Sequence, residues 1–179
     1  MRRLLLLIFV SLVFLTLGFF SKVYALDEVL AEKGESSEIS SFELFWPIVA
    51  GKTMGDPLYT LKTLKEKVRG LLIFGKPQKA NYFVLLATKR VVEAEKLIDN
   101  NEKDLALKTL DRANSLLMSA DKAISGIPAG LIYSETKDNI NKQLGNLETF
   151  IPWLSSRKGE LSAKLQEILE TVKTLNSKI

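Results

Sequence analysis

Residues 80–124 read ANYFVLLATKRVVEAEKLIDNNEKDLALKTLDRANSLLMSADKAI. Ala80, Val84, Ala87, Val91, Ala94 and Ile98 recur at alternating steps of four and three, and the same rhythm returns in Ala106, Leu110, Ala113, Leu117, Ala120 and Ile124. That spacing gathers apolar side chains on one face of a helix, and such a face must be buried. The polar turn between the runs, residues 100–103, is too short to do anything but reverse the chain. The spacing therefore predicts two antiparallel helices with facing seams.

Helical periods continue on both sides. Upstream, Asp56 is a good N-cap and Pro57 suits the first helical position, where its missing N–H costs nothing. The helix they open carries Leu61, Leu64, Val68, Leu71 and Leu72 on one stripe, expected to be buried, and Lys62, Lys65 and Arg69 on a neighbouring one. It is expected to end near Gly75, with Pro77 starting the next. Downstream, Gly126 and Pro128 mark a stop and a start. Ile140, Leu144, Leu147 and Ile151 then form a seam that Pro152 is expected to interrupt, with Trp153 and Leu154 filling the corner. Leu161, Leu165, Ile168, Val172, Leu175 and Ile179 make a last seam. No period-two run and no Asn-Gly or Asp-Gly turn suggests a strand. The expected fold is all-α: an antiparallel helical bundle of about five helices with heptad-like seams, preceded by a signal or anchor helix.

The N-terminus supplies that leading segment. Arg2 and Arg3 precede an uncharged apolar run over residues 4–20, and Val23 and Ala25 stand where a signal peptidase reads, predicting a cut after Ala25. The run also reaches the lower limit for spanning a bilayer, so an uncleaved anchor is the competing reading. Either way the remainder is expected outside the cytoplasm, in the extracellular space or at the cell envelope.

Arg2, Arg3 and Lys22 are the only charges in residues 1–25, so the 25 bases less these three leave 22 against 21 acids. The net basicity of the full chain is thus no argument for nucleic acid. No cysteine and no histidine occur, which excludes disulfides, zinc sites of the usual kinds and Ser-His-Asp or Cys-His nucleophiles. No catalytic, cofactor-binding or metal-ligating residue is assigned. Glu93, Glu95, Asp99, Glu102 and Asp104 are plentiful carboxylates whose spacing demands no cleft. Asp104 with Lys108, Asp138 with Lys142 and Glu160 with Lys164 have the order of solvated helix pairs.

Charge is unevenly spread. Residues 26–50 hold six acids and one base, whereas residues 52–90 hold nine bases and two acids. Lys62, Lys65 and Arg69 are therefore the candidate contact with an anionic envelope component; an intramolecular clamp by the acidic spacer and a plain solvated face are the other readings. Tyr59 is expected to pack its ring on the aromatics Phe42, Phe45 and Trp46 and to leave its hydroxyl wet.

The stretch Asp56-Pro57-Leu58-Tyr59-Thr60-Leu61-Lys62, with Lys79-Ala80, Ala87 and Lys89-Arg90, resembles an uncharacterised family of exported bacterial helical domains typified by a D-x-P-L-Y-x-L-K opening. The resemblance covers roughly residues 46–124 and implies export and a helical domain, with no activity, cofactor or catalytic residue attached. The hairpin at 91–120 also looks superficially like one helical pair of a tetratricopeptide array, but no second copy follows. The expected organisation is a signal peptide or anchor at 1–25, an acidic spacer and aromatic segment at 26–50, the helical domain at 51–125 and a C-terminal helical hairpin at 126–179. The expected function is a non-enzymatic structural or binding module at the cell envelope. Its partner would be an anionic envelope component or another envelope protein, and the alternative is an exported enzyme using carboxylate or lysine chemistry.

Overall fold

The computed structural model describes residues 39–128, 134–157 and 159–179. The expected signal or anchor, the cut after Ala25 and the spacer up to residue 38 lie outside the described residues. Six α-helices are found among the described residues, and no strand: α1 (Ser41–Phe45), α2 (Tyr59–Leu71), α3 (Lys76–Asp99), α4 (Lys103–Ser125), α5 (Ser134–Arg157) and α6 (Ser162–Asn176), the last entered through a short 3-10 turn at Gly159–Leu161. No helix among the described residues is long and apolar enough to cross a membrane.

The four long seams make the core. Ala80, Val84, Ala87, Val91, Ala94 and Ile98 of α3 are buried against Ala106, Leu110, Ala113, Leu117, Ala120 and Ile124 of α4. Ile140, Leu144, Leu147 and Ile151 of α5 and Leu165, Ile168, Val172 and Leu175 of α6 join the same cluster. The alternating alanines let α3 and α4 come close, and the larger leucines and isoleucines of α5 and α6 fill the other half of the bundle. Helix α5 lies beside α3 and α6 beside α4, so the C-terminal hairpin docks on the first. Polar bonds fix the register: Asn114 Nδ2 donates to Glu167 Oε1 at 2.7 Å and Asn114 Oδ1 accepts from Thr171 Oγ1 at 3.0 Å, while Gln143 Nε2 donates to Asn81 Oδ1 at 3.2 Å.

Helix α1 packs against the second half of α5. Its Ser40 cap accepts from the Glu43 N–H, Asn146 Nδ2 donates to the Leu44 carbonyl at 2.6 Å, and Phe45 meets Phe150 edge-on at 5.2 Å. Only Phe45 of the aromatic trio is buried, since Phe42 and Trp46 pair with each other at the surface.

Two local expectations are corrected. Helix α5 runs through Pro152 to Arg157 without ending there. Pro152 is exposed, so the carbonyl it leaves unbonded can turn to water while Ile151 and Leu154 on either side stay in the core. Helix α2 ends at Leu71, four residues before Gly75, and Gly75, with φ of +95°, instead caps the start of α3. The positive φ is what favours glycine there, since a Cβ would meet only the movable tip of the Gln78 side chain.

The largest correction concerns α2 itself. Its stripe does not enter the core: Leu61, Leu64, Val68, Leu71 and Leu72 are 64, 55, 49, 75 and 67% exposed, with Leu58 and Phe74 equally open. The helix is docked with its polar side inward, and its backbone stands off from the bundle.

Candidate functional site

The surface that receives α2 is a polar row on α3. Tyr82, Lys89, Arg90 and Glu93 are spaced so that they share one face of that helix, just outside the alanine seam. Tyr59, Lys62, Glu66 and Gly70 share one face of α2 at the complementary spacing. As residue numbers rise on α2 their partners fall on α3: Lys62 bonds Glu93, Glu66 bonds Arg90 and Lys89, and the Glu66 carbonyl accepts from Tyr82 Oη at 2.8 Å. The two helices are thus antiparallel and joined through charges. Gly70 permits the approach, since a Cβ there would stand 3.2 Å from the Tyr82 ring.

Every charge in this row is matched. Arg90, 3% exposed, is shared between Glu66 and Glu93. Lys62 bonds Glu93 and also donates to the carbonyls of Ala50 at 3.1 Å and Lys52 at 2.6 Å, which ties the loop before α2 to the same point. Glu93 has no exposed surface, and burial pushes its carboxyl above the ordinary range against the pull of Arg90 and Lys62. Burial likewise pushes the Lys62 ammonium down, with Glu93 opposing the shift.

Tyr59 is the hub, and its environment is not the one expected. Its ring is buried away from Phe42 and Trp46, and Lys62, Arg90 and Arg112 lie 5.6, 5.5 and 5.5 Å from its centroid. Its hydroxyl accepts from Arg90 at 3.3 Å and from Arg112 at 3.1 Å, so it is bonded to α3 and α4 together. A phenol suits this place because its negative ring face and its oxygen both attract guanidinium groups. Asp56 prepares the entry: its carboxylate accepts the Leu58 N–H at 2.8 Å and pairs with Lys52 at 3.0 Å.

The candidate contact residues are consequently divided. Lys62 faces inward on Glu93, Lys65 is exposed, and Arg69 lies over the Tyr82 ring at 5.7 Å while remaining open to solvent. On a helical projection Lys65 and Arg69 flank one side of the exposed apolar stripe and Lys67 the other. The outer surface of α2 is therefore an apolar band edged by cations, directly opposite the clamp that holds it.

Beneath the edge of α2 runs a groove of about 660 Å³ between α2, α3 and α4. Phe83, Leu86 and Leu116 supply its apolar floor, and Arg90 and Arg112 close one end. Sequence reasoning found neither clamp nor groove. The available signal was Lys62 and Glu66 opposed in reverse order by Arg90 and Glu93.

No curated protein and no solved structure matches the chain. A family match does exist, and it extends across α5 and α6, which the resemblance read from the sequence left out. The chain belongs to the family described as Domain of unknown function (DUF5667), matched over residues 51–177.

Proposed function

We propose that this protein is an exported, non-enzymatic binding module of the cell envelope whose binding element is α2, laid on an anionic lipid surface. The observation that carries the reading is the orientation of α2: its Lys62 and Glu66 side chains are consumed by the bundle while its leucines face outward. Large contiguous apolar patches on a soluble domain mark interaction surfaces. The cations at the rim, Lys65, Lys67 and Arg69, choose among apolar partners, and they fit a surface of negative headgroups.

Magnitudes decide which part of the contact dominates. A basic side chain near an anionic surface contributes about 1 kcal/mol and fades within a Debye length. Completing the burial of a half-exposed leucine contributes roughly the same at about 25 cal/mol per Å². Leu61, Leu64, Val68, Leu71 and Leu72 outnumber Lys65, Lys67 and Arg69. The apolar term is larger, and binding should weaken with salt but survive it.

The test is sedimentation with anionic and with zwitterionic vesicles at low and high salt. Leu61→Ser with Leu64→Ser and Val68→Ser should abolish binding to anionic vesicles, and Lys65→Gln with Lys67→Gln and Arg69→Gln should weaken it at low salt only. Vesicle binding equal to wild type in both variants, or none by wild type, overturns the reading.

A second reading, an exported enzyme with carboxylate or lysine chemistry, draws on Glu93 and Lys62, which burial pushes toward neutrality. We favour the first because Glu93 is sealed and both its oxygens are bonded, and because Glu66 lines the groove where Glu93 does not.

A further inference from the structure

We propose that the groove between α2, α3 and α4 binds a single-chain anionic amphiphile, its carboxylate or phosphate head at Arg112 and its acyl chain along Phe83, Leu86 and Leu116. This site borders the outer face of α2, with which it shares Lys67 and Leu71, but its head-group contact Arg112 and its apolar floor belong to α3 and α4 and do not depend on that face touching a membrane.

The groove has the size of a small-molecule site, which usually falls within about 300–1,000 Å³. Its shape is a slot. Lys79 and Arg90, both on its lining, lie eleven residues apart on α3, or about 16 Å at the helical rise. Between them the wall is apolar, with Phe83 and Leu86 from α3 facing Leu116 from α4. An extended chain of methylenes fits a slot of that kind better than a compact polar metabolite.

Charge selects the head group. The groove is lined by Lys67, Lys79, Arg90 and Arg112 against a single carboxylate, Glu66. Glu66 is no competitor for a ligand cation or obstacle to an anion, because its two oxygens are already held by Lys89 and Arg90. Arg90 is in turn saturated by Glu66 and Glu93. Arg112 differs: it donates to the neutral Tyr59 hydroxyl at 3.1 Å and stands over that ring, and among the described residues it has no carboxylate partner. Lys67 and Lys79 also lack one. A guanidinium held by a phenol at the mouth of an apolar slot presents free donors to an incoming anion, and Arg is the side chain that grips carboxylate or phosphate in two-point fashion.

The experiment is calorimetric titration of the purified protein below the micelle limit with dodecanoate, dodecyl phosphate and neutral dodecyl maltoside. Both anions are expected to bind with one-to-one stoichiometry, at least tenfold more tightly than the neutral amphiphile. The two anions compared with each other tell carboxylate from phosphate. Arg112→Gln should lose about tenfold toward the anions and leave the neutral probe unchanged, and Arg112→Lys should restore part of the loss. Ser115→Trp, at an exposed position on the lining, should plug the slot, abolish all three and leave vesicle sedimentation intact. Equal affinity for neutral and anionic probes, binding that survives Ser115→Trp, or no binding at all overturns the proposal. Loss of vesicle binding with amphiphile binding retained would instead count against α2 as a membrane contact.

Discussion

Lys62 of α2 and Glu93 of α3 form an ion pair across 31 residues of sequence, and the carboxylate has no exposed surface. Removing the ammonium leaves that carboxylate with Arg90 alone. Buried pairs broken from one side are costly even where the intact pair contributes little net stability. Lys62→Met should destabilise the protein by on the order of 3 kcal/mol in a denaturant titration. A change under about 0.5 kcal/mol would mean that α2 is not clamped at this point.

The pH dependence of the same pair has a definite sign. Burial raises the folded pKa of Glu93 above its ordinary value of 4.5, so in acid the folded protein takes up this proton before the unfolded chain does. The contribution is fully present below the unfolded value and is lost as pH rises through the folded one. Lys62 is shifted in the opposite direction, downward from 10.5, and acts in the alkaline window instead. Wild-type stability minus that of Glu93→Gln should therefore fall as pH rises from the ordinary carboxylate range toward neutrality. Thermal unfolding of the two proteins across that range checks it, and a difference that rises with pH refutes it.

Two leucines at matching helical positions should behave oppositely. Leu117, fully buried in the α4 seam, should cost about 2 to 5 kcal/mol when changed to Ala. Leu64→Ser, on the exposed stripe of α2, should stay within about 0.5 kcal/mol of wild type. Melting curves of both variants measure the orientation of α2 directly.

Asn114 tests how the C-terminal hairpin is held. It bonds Glu167 and Thr171 on α6 from α4, and Asn114→Ala removes both bonds. The expected loss is about 1 kcal/mol, because Glu167 is partly open to water and can be resolvated. Equilibrium unfolding in urea is sufficient to resolve it.

The bundle was legible because its signal is local. Every residue of the α3 and α4 seams is buried, as spacing alone required, since a stripe of alanine, valine and leucine on a long helix has no alternative but another such stripe. The orientation of α2 was not legible for the same reason turned around. Leu61, Leu64 and Val68 make as good a stripe as any in the chain, but the part of α3 that α2 meets carries Arg90 and Glu93, which bind Lys62 and Glu66, and periodicity within one helix does not reveal what its neighbour presents. Charge alone gives no reason to expect Arg90 and Glu93 of α3 to be buried; only Lys62 and Glu66, in reverse order on another helix, match them. Tyr59 was placed near Phe42 and Trp46 by aromatic affinity, whereas three cations compete better for its ring and hydroxyl.

The Tyr59 hydroxyl accepts from arginines on two different helices, and this has a consequence for the order in which the chain assembles. Arg90 and Arg112 come together only after α3 and α4 have closed on each other, so the seat for Tyr59 does not exist until that hairpin does. Helix α2 precedes the hairpin in the chain and leaves the ribosome before it. It is the segment made early and docked late. During that interval its leucines and its charges are equally without a partner, and whatever guides the nascent chain has an amphipathic helix to hold before the bundle can.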